Sequence, residues 1–263
     1  MNRLALVVLG LATLAGCAGV PQAPEKIVLP EVARFSSAKA GAPLPGGWRA
    51  MTLSRYKQAT EYRLVVEDGH TVVKASADAS ASGLIHDVSV DLQAFPVIRW
   101  RWKVNELIAS ADNTRHSHED SPVRLLVTFE GDKTKWDFSD RLFATQLRMM
   151  TGAELPYATL MYIWENRAPK GTLIENAHTS RVKMIVAESG RDRLGRWIEE
   201  TRDLRADFRR AFGEEPGRVR AVAVMTDSDN TGEKCHAFYG DIGFERAGLE
   251  RGRVDAHAMG GKD

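Results

Sequence analysis

The segment VIRWRWKV, Val97–Val104, alternates apolar and basic residues without a break and constrains the fold of this chain more than any other stretch. A period of two puts Ile98, Trp100, Trp102 and Val104 on one face of a β-strand and Arg99, Arg101 and Lys103 on the other. Residues 123–130 repeat the pattern, with Val123, Leu125, Val127 and Phe129 set against Arg124, Leu126, Thr128 and Glu130. Residues 62–66 and 71–75 flank Asp68-Gly69, a two-residue hairpin signal because both turn positions need positive φ. Further strands are predicted at 84–92, 157–164, 181–187, 196–201, 218–225 and 236–244.

Two stretches carry helical spacing. Residues 139–150 place Leu142, Phe143, Gln146, Leu147 and Met150 on one stripe, with Gly152 just past the end. Residues 203–212 start on Asp203 as an N-cap, bury Leu204, Phe208 and Phe212, and stop at Gly213. Ten short strands with two inserted helices predict a mainly β fold, a jelly-roll-like β-sandwich. The 263 residues suit one such domain, expected as a monomer over residues 46–246, with a C-terminal tail at 247–263. A composition of 43% apolar and 27% charged residues excludes a disordered, collagen-like or multi-pass membrane chain. With 36 basic against 35 acidic residues there is no cationic excess to attract nucleic acid.

The N-terminus reads MNRLALVVLGLATLAGC. Arg3, an apolar run and small residues before Cys17 follow the order of a secretory signal, and the run is shorter than the ~20 residues that span a bilayer. Leu14-Ala15-Gly16-Cys17 has the form of a bacterial lipobox. It predicts a signal peptide at 1–16, acyl chains on Cys17, and a protein anchored in the cell envelope on its periplasmic face. Ala18, where Asp would favour inner-membrane retention, favours the outer membrane. Residues 17–45 hold five of the ten prolines and read as a tether. Once Cys17 is lipidated, Cys235 is the remaining thiol, expected as a small semi-buried residue.

Four features carry candidate chemistry. The loop Thr226-Asp-Ser-Asp-Asn-Thr-Gly232 sets oxygen side chains at alternate positions, so Asp227, Asp229 and Asn230 could hold Ca²⁺; a tight turn accounts for the same residues. The loop 112–120 contains His116 and His118, two apart as transition-metal ligands in an extended segment would be, and ends on Asp120 directly before a strand. Arg99 and Arg101 could grip a carboxylate or phosphate, or be paired across the sheet. Trp164, at a strand end, could stack on a sugar ring. No G-x-S-x-G elbow, H-E-x-x-H, Walker loop or dinucleotide fingerprint is present.

VIRWRWKV, the Glu119-Asp120-Ser121-Pro122 turn before LLVTFEGD, the stretch GRWIEETRDLRADFRRAFGEEP and the run AVAVMTDSDNTGEKCHAFYGDIGF together resemble the bacterial domain of unknown function family numbered 3047. The resemblance implies an envelope-facing β-sandwich, similar in outline to galactose-binding-like jelly rolls. It also implies that Asp120 meets Asp227 and Asp229, with the strand from His236 lying beside the strand from Ser121. It brings no activity and no catalytic residue. The expectation is a lipid-anchored module binding a carbohydrate or another envelope component through Asp120, Arg99, Arg101 and Trp164. Its rivals are a glycan hydrolase using Asp120 and Asp229, and an assembly lipoprotein acting through protein contacts.

Overall fold

The computed structural model describes residues 30–54 and 56–248; Cys17, the signal segment and residues 249–263 lie outside them. In chain order the elements are β1 (Trp48–Thr52), β2 (Glu61–Glu67), β3 (His70–Asp78), β4 (Ala81–Val90), β5 (Val97–Val104), β6 (Ser121–Phe129), α1 (Phe138–Thr151), β7 (Ala158–Glu165), β8 (Leu173–Glu175), β9 (Val182–Ser189), β10 (Trp197–Asp203), α2 (Leu204–Phe212), β11 (Val219–Asp227) and β12 (Lys234–Glu245). They form the expected jelly-roll-like sandwich. A seven-stranded sheet runs β1-β4-β11-β6-β7-β9-β8 and faces a five-stranded sheet running β10-β5-β12-β3-β2.

Alternation decides which face meets the core. Ile98, Trp100, Trp102 and Val104 of β5 pack between the sheets with Val123, Leu125, Val127 and Phe129 of β6. The three cations of β5 point outward and are paired there. Lys103 bonds Glu67 and Asp68, Arg101 lies over the Trp197 ring at 4.7 Å, and Arg99 pairs with Glu245. All strand pairs are antiparallel except β7–β9, whose parallel register is reached through the sixteen-residue crossover that carries β8.

Three expectations need correction. The helix at α1 has the predicted extent, but Leu142 is 47% and Met150 65% exposed. Its inward stripe is Asp140, Phe143, Ala144 and Leu147, because the Asp140 carboxylate accepts hydrogen bonds from Thr179 and Ser180 and turns that face to the sheet. Residues 32–38, expected in the tether, pack on the sandwich. Val32 and Phe35 join the core, and Trp48 donates its indole N–H to Ala33 O at 2.7 Å. The short edge strands β1 and β8 were not expected; each is fixed by pairing to a longer neighbour, β4 and β9.

The outer face of the seven-stranded sheet is apolar where a solvated sheet face would be polar. Leu126 of β6, Ala223 and Met225 of β11, and Ala81 form an apolar cluster separate from the main core, with Met51, Leu53, Ile85 and Met161 packed against it. All nine residues of β6 are buried, so both of its faces are covered.

Candidate functional site

The pairing of β6 with β11 builds the site. Its register sets Asp227, the last residue of β11, opposite Ser121, the first of β6, so Asp120 lands beside Asp227. The turn after β11 then folds back over Asp120, whose carboxylate accepts the backbone N–H of Asn230 at 3.2 Å and of Thr231 at 2.7 Å. Asp227 accepts from the Ser121 N–H at 3.0 Å and from Arg124 Nε at 2.9 Å, and Asp229 pairs with Lys57 at 2.6 Å. One oxygen from each of Asp120, Asp227 and Asp229 lies within 4.8 Å of the others.

The convergence of Asp120 with the acidic turn therefore holds, by a different neighbour from the one the family resemblance implied. β11 lies beside β6, whereas β12 belongs to the opposite sheet. β12 reaches the site through Tyr239, whose hydroxyl accepts from the Arg124 N–H at 3.2 Å and shares a hydrogen bond with Thr226 at 2.9 Å.

Arg124 is the hub. Its side chain is 2% exposed, and beyond Asp227 it donates to Asn113 Oδ1 at 3.1 Å and to Glu119 O at 2.8 Å. Asn113 in turn donates to Asp120 O at 3.0 Å and to Glu165 at 3.2 Å through its backbone. Burial pushes the Asp227 carboxyl up to about 6, against the pull of the Arg124 charge, and the Asp120 charge adds to the rise. The buried pair is thus held together by geometry that desolvation opposes.

Among the described residues, these three aspartates are the group of three or more carboxylate, imidazole or thiol side chains that could hold a metal ion. Oxygens within 4.8 Å of one another suit the 2.3–2.6 Å bonds of Ca²⁺, and a hard cation there would engage Asp229 Oδ1, which is buried without a partner. Asp120 joins Asp227 and Asp229 of the expected set; Asn230 beside them donates its backbone N–H to Asp120 and its side-chain amide N–H to His116 O.

Asp227 and Arg124 also close the polar end of a cavity of about 410 Å³ between the outer sheet face and α1. Its floor is Leu126, Met161 and Met225, its wall is Phe143 and Leu147 of α1, and Lys57, His116, Glu119, Asn230 and His178 complete the polar end. A larger depression of about 1360 Å³ lies further along the same sheet, where Arg220 pairs with Glu130 and Lys133 with Glu154.

Of the other expected residues only His116 lines this cavity; Trp164, Arg99, Arg101 and His118 do not. Trp164 is fully buried, its indole N–H donated to Gly190 O at 3.0 Å, so it offers no face to a sugar. Arg99 and Arg101 lie on the outer face of the five-stranded sheet with the partners already described, and they do not share a surface with Asp120. His116 and His118 form a 3₁₀ turn and diverge, His118 to Ser117 Oγ and His116 to His178. His178, Lys57 and the methionine floor carried no local signal, because each is recruited by pairing between segments far apart in sequence.

No curated protein matches the chain. Among solved structures, a family 12 xyloglucanase from Bacillus licheniformis in complex with ligand matches at 8% identity and a TM-score of 0.35, covering 75% of this chain and 99% of that chain. At that identity and TM-score nothing of its activity passes to this sequence. Over residues 46–243 the chain matches the model of a protein family of unknown function, DUF3047, and it belongs to that family.

Proposed function

We propose that this protein is an envelope binding module, tethered through acyl chains on Cys17, and that its ligand is an amphipathic molecule seated in the cavity beneath α1. The observation that carries the reading is the apolar floor of Leu126, Met161 and Met225 on an outer sheet face, ending at the buried Arg124–Asp227 pair. An apolar trough with a few convergent polar groups at one end is the usual form of a small-molecule site. The floor takes an alkyl or terpenoid body, and the polar end takes a head group that accepts from Lys57 and donates to Asp227. An oligosaccharide is the less favoured occupant, since sugar sites offer aromatic platforms and Trp164 is withdrawn into the core.

The test is displacement of a fluorescent fatty-acid probe from the chain beginning at Ala18, in parallel with a panel of envelope oligosaccharides. Saturable probe binding is expected, weakened at least tenfold by Met161→Trp, which fills the floor. Probe affinity unchanged by Met161→Trp, or saturable binding of an oligosaccharide alone, would overturn the assignment.

A further inference from the structure

His116 and His178 stand 62 residues apart in sequence, yet their Nε2 atoms lie 3.1 Å apart at the mouth of the cavity. Both side chains are exposed. An end-to-end N–H···N bond at that nitrogen separation would hold the ring centres roughly 5.4 Å apart, one ring radius of ~1.15 Å being added at each end. The centres are 4.3 Å apart and the rings nearly perpendicular, at 83°. The two rings therefore meet edge to face rather than end to end along one N–H···N line.

The separation has the right size for two ligands of one ion. With metal–nitrogen bonds of ~2.0–2.1 Å, two imidazole ligands stand ~2.9 Å apart at a right angle and ~3.3 Å apart at the tetrahedral angle. The observed 3.1 Å falls between them. Neighbouring contacts hold both backbones and one ring before any ion arrives. The His116 carbonyl accepts from Asn230 Nδ2 at 2.9 Å, the His178 N–H donates to Asn176 Oδ1 at 3.0 Å, and the Phe143 ring lies parallel to His178 within 5°.

We propose that His116 and His178 are a two-histidine site for a divalent first-row transition ion, Cu²⁺, Ni²⁺ or Zn²⁺. Imidazole favours these ions, and with two protein ligands the remaining positions stay open to water or to a coordinating group on a molecule in the cavity. The site stands apart from the carboxylate cluster, which by its oxygen ligands suits a hard cation. It also stands apart from the amphipathic-ligand reading, because it needs nothing in the trough.

The experiment is a Cu²⁺ and Zn²⁺ titration of the full chain in detergent, followed by calorimetry and, for Cu²⁺, by electron paramagnetic resonance. One equivalent is expected to bind saturably, with hyperfine structure from two nitrogens. His116→Gln and His178→Gln should each weaken binding at least tenfold; His118→Gln and excess Ca²⁺ should leave it unchanged. The variants change exposed side chains, so equal melting temperatures will certify their fold. Affinity that survives both substitutions, or that Ca²⁺ or Asp229→Asn abolishes, would overturn the site. Probe binding in the trough, measured with EDTA present, fails or succeeds independently of this result.

Discussion

A buried arginine is costly to desolvate, so Arg124 persists only because every face of its guanidinium group is met. Removing one partner leaves the charge uncompensated. Asp227→Ala is expected to lower stability by about 3–5 kcal/mol, read as the midpoint shift in urea denaturation, and a change below ~1 kcal/mol would remove Arg124 from the structural centre of the site. The same pair has a pH signature. The folded state holds the Asp227 proton more tightly than the unfolded chain does, about 6 against 3.8. This group's contribution to stability therefore falls as pH climbs through that window and is constant above it. Relative to Asp227→Asn, the wild type should lose about 2 kcal/mol between pH 4 and pH 6.5 in EDTA; a difference that stays constant over that range would mean the carboxyl titrates normally. Cys235 is shifted in the same direction. Burial, with Asp227 and Asp120 adding to it, pushes its thiol up to about 12. In a Cys17→Ser chain no thiol should react with Ellman's reagent at pH 8 until denaturant unfolds the domain, and fast reaction in native buffer would show Cys235 to be accessible. The sequence suggested a quiet cysteine here from its lone position. It could not suggest the buried Arg124, whose place on an alternating strand reads as an outward, solvated one.

At the scale of elements, what could be read was whatever a single segment decides. Period-two alternation fixed the inward face of β5 and β6, and the caps Asp203 and Gly213 fixed α2, where Asp203 accepts from the Ala206 N–H and Gly213 sits at φ 70°. What could not be read depends on a second segment. β1 and β8 exist because β4 and β9 offer them an edge, and the roll of α1 is set by Thr179 and Ser180. The Asp140 anchor makes α1 a separable element, joined to the sheet by Asp140, Phe143, Ala144 and Leu147 while Phe138 and Met149 stand 74% and 82% exposed. Asp140→Ala should therefore raise deuterium uptake over residues 138–151 severalfold while leaving the strands of both sheets protected. Uniform loss of protection across β6 and β11 would show α1 to be integral to the sandwich, and the cavity beneath it to be part of the core.

At the scale of the molecule the question is how this domain stands relative to a membrane. The jelly-roll-like sandwich buries its own N-terminal segment: Ser36 bonds Asp241, and Phe35 packs on the Trp48 ring at 4.6 Å. Val32 is the first buried residue among those described, and fourteen residues lie between it and Cys17. Fully extended, they span at most ~50 Å. An anchored domain would be held within that distance of the bilayer, close enough for the cavity to receive an amphiphile leaving or entering the membrane. A single myristoyl-like chain would give only reversible attachment, whereas the two or three chains a lipobox cysteine receives make it durable. The proposal then makes a joint prediction. Globomycin, which blocks lipoprotein signal cleavage, should cause a precursor retaining residues 1–16 to accumulate, and Cys17→Ser should shift cleaved protein from the membrane pellet to the periplasmic supernatant. Processing indifferent to globomycin would remove the anchor. A Cys17→Ser protein that has lost residues 1–16 and still sediments with membranes would place the attachment on the folded domain itself, and its exposed α1 residues Phe138, Leu142, Met149 and Met150 would then be the surface to substitute next.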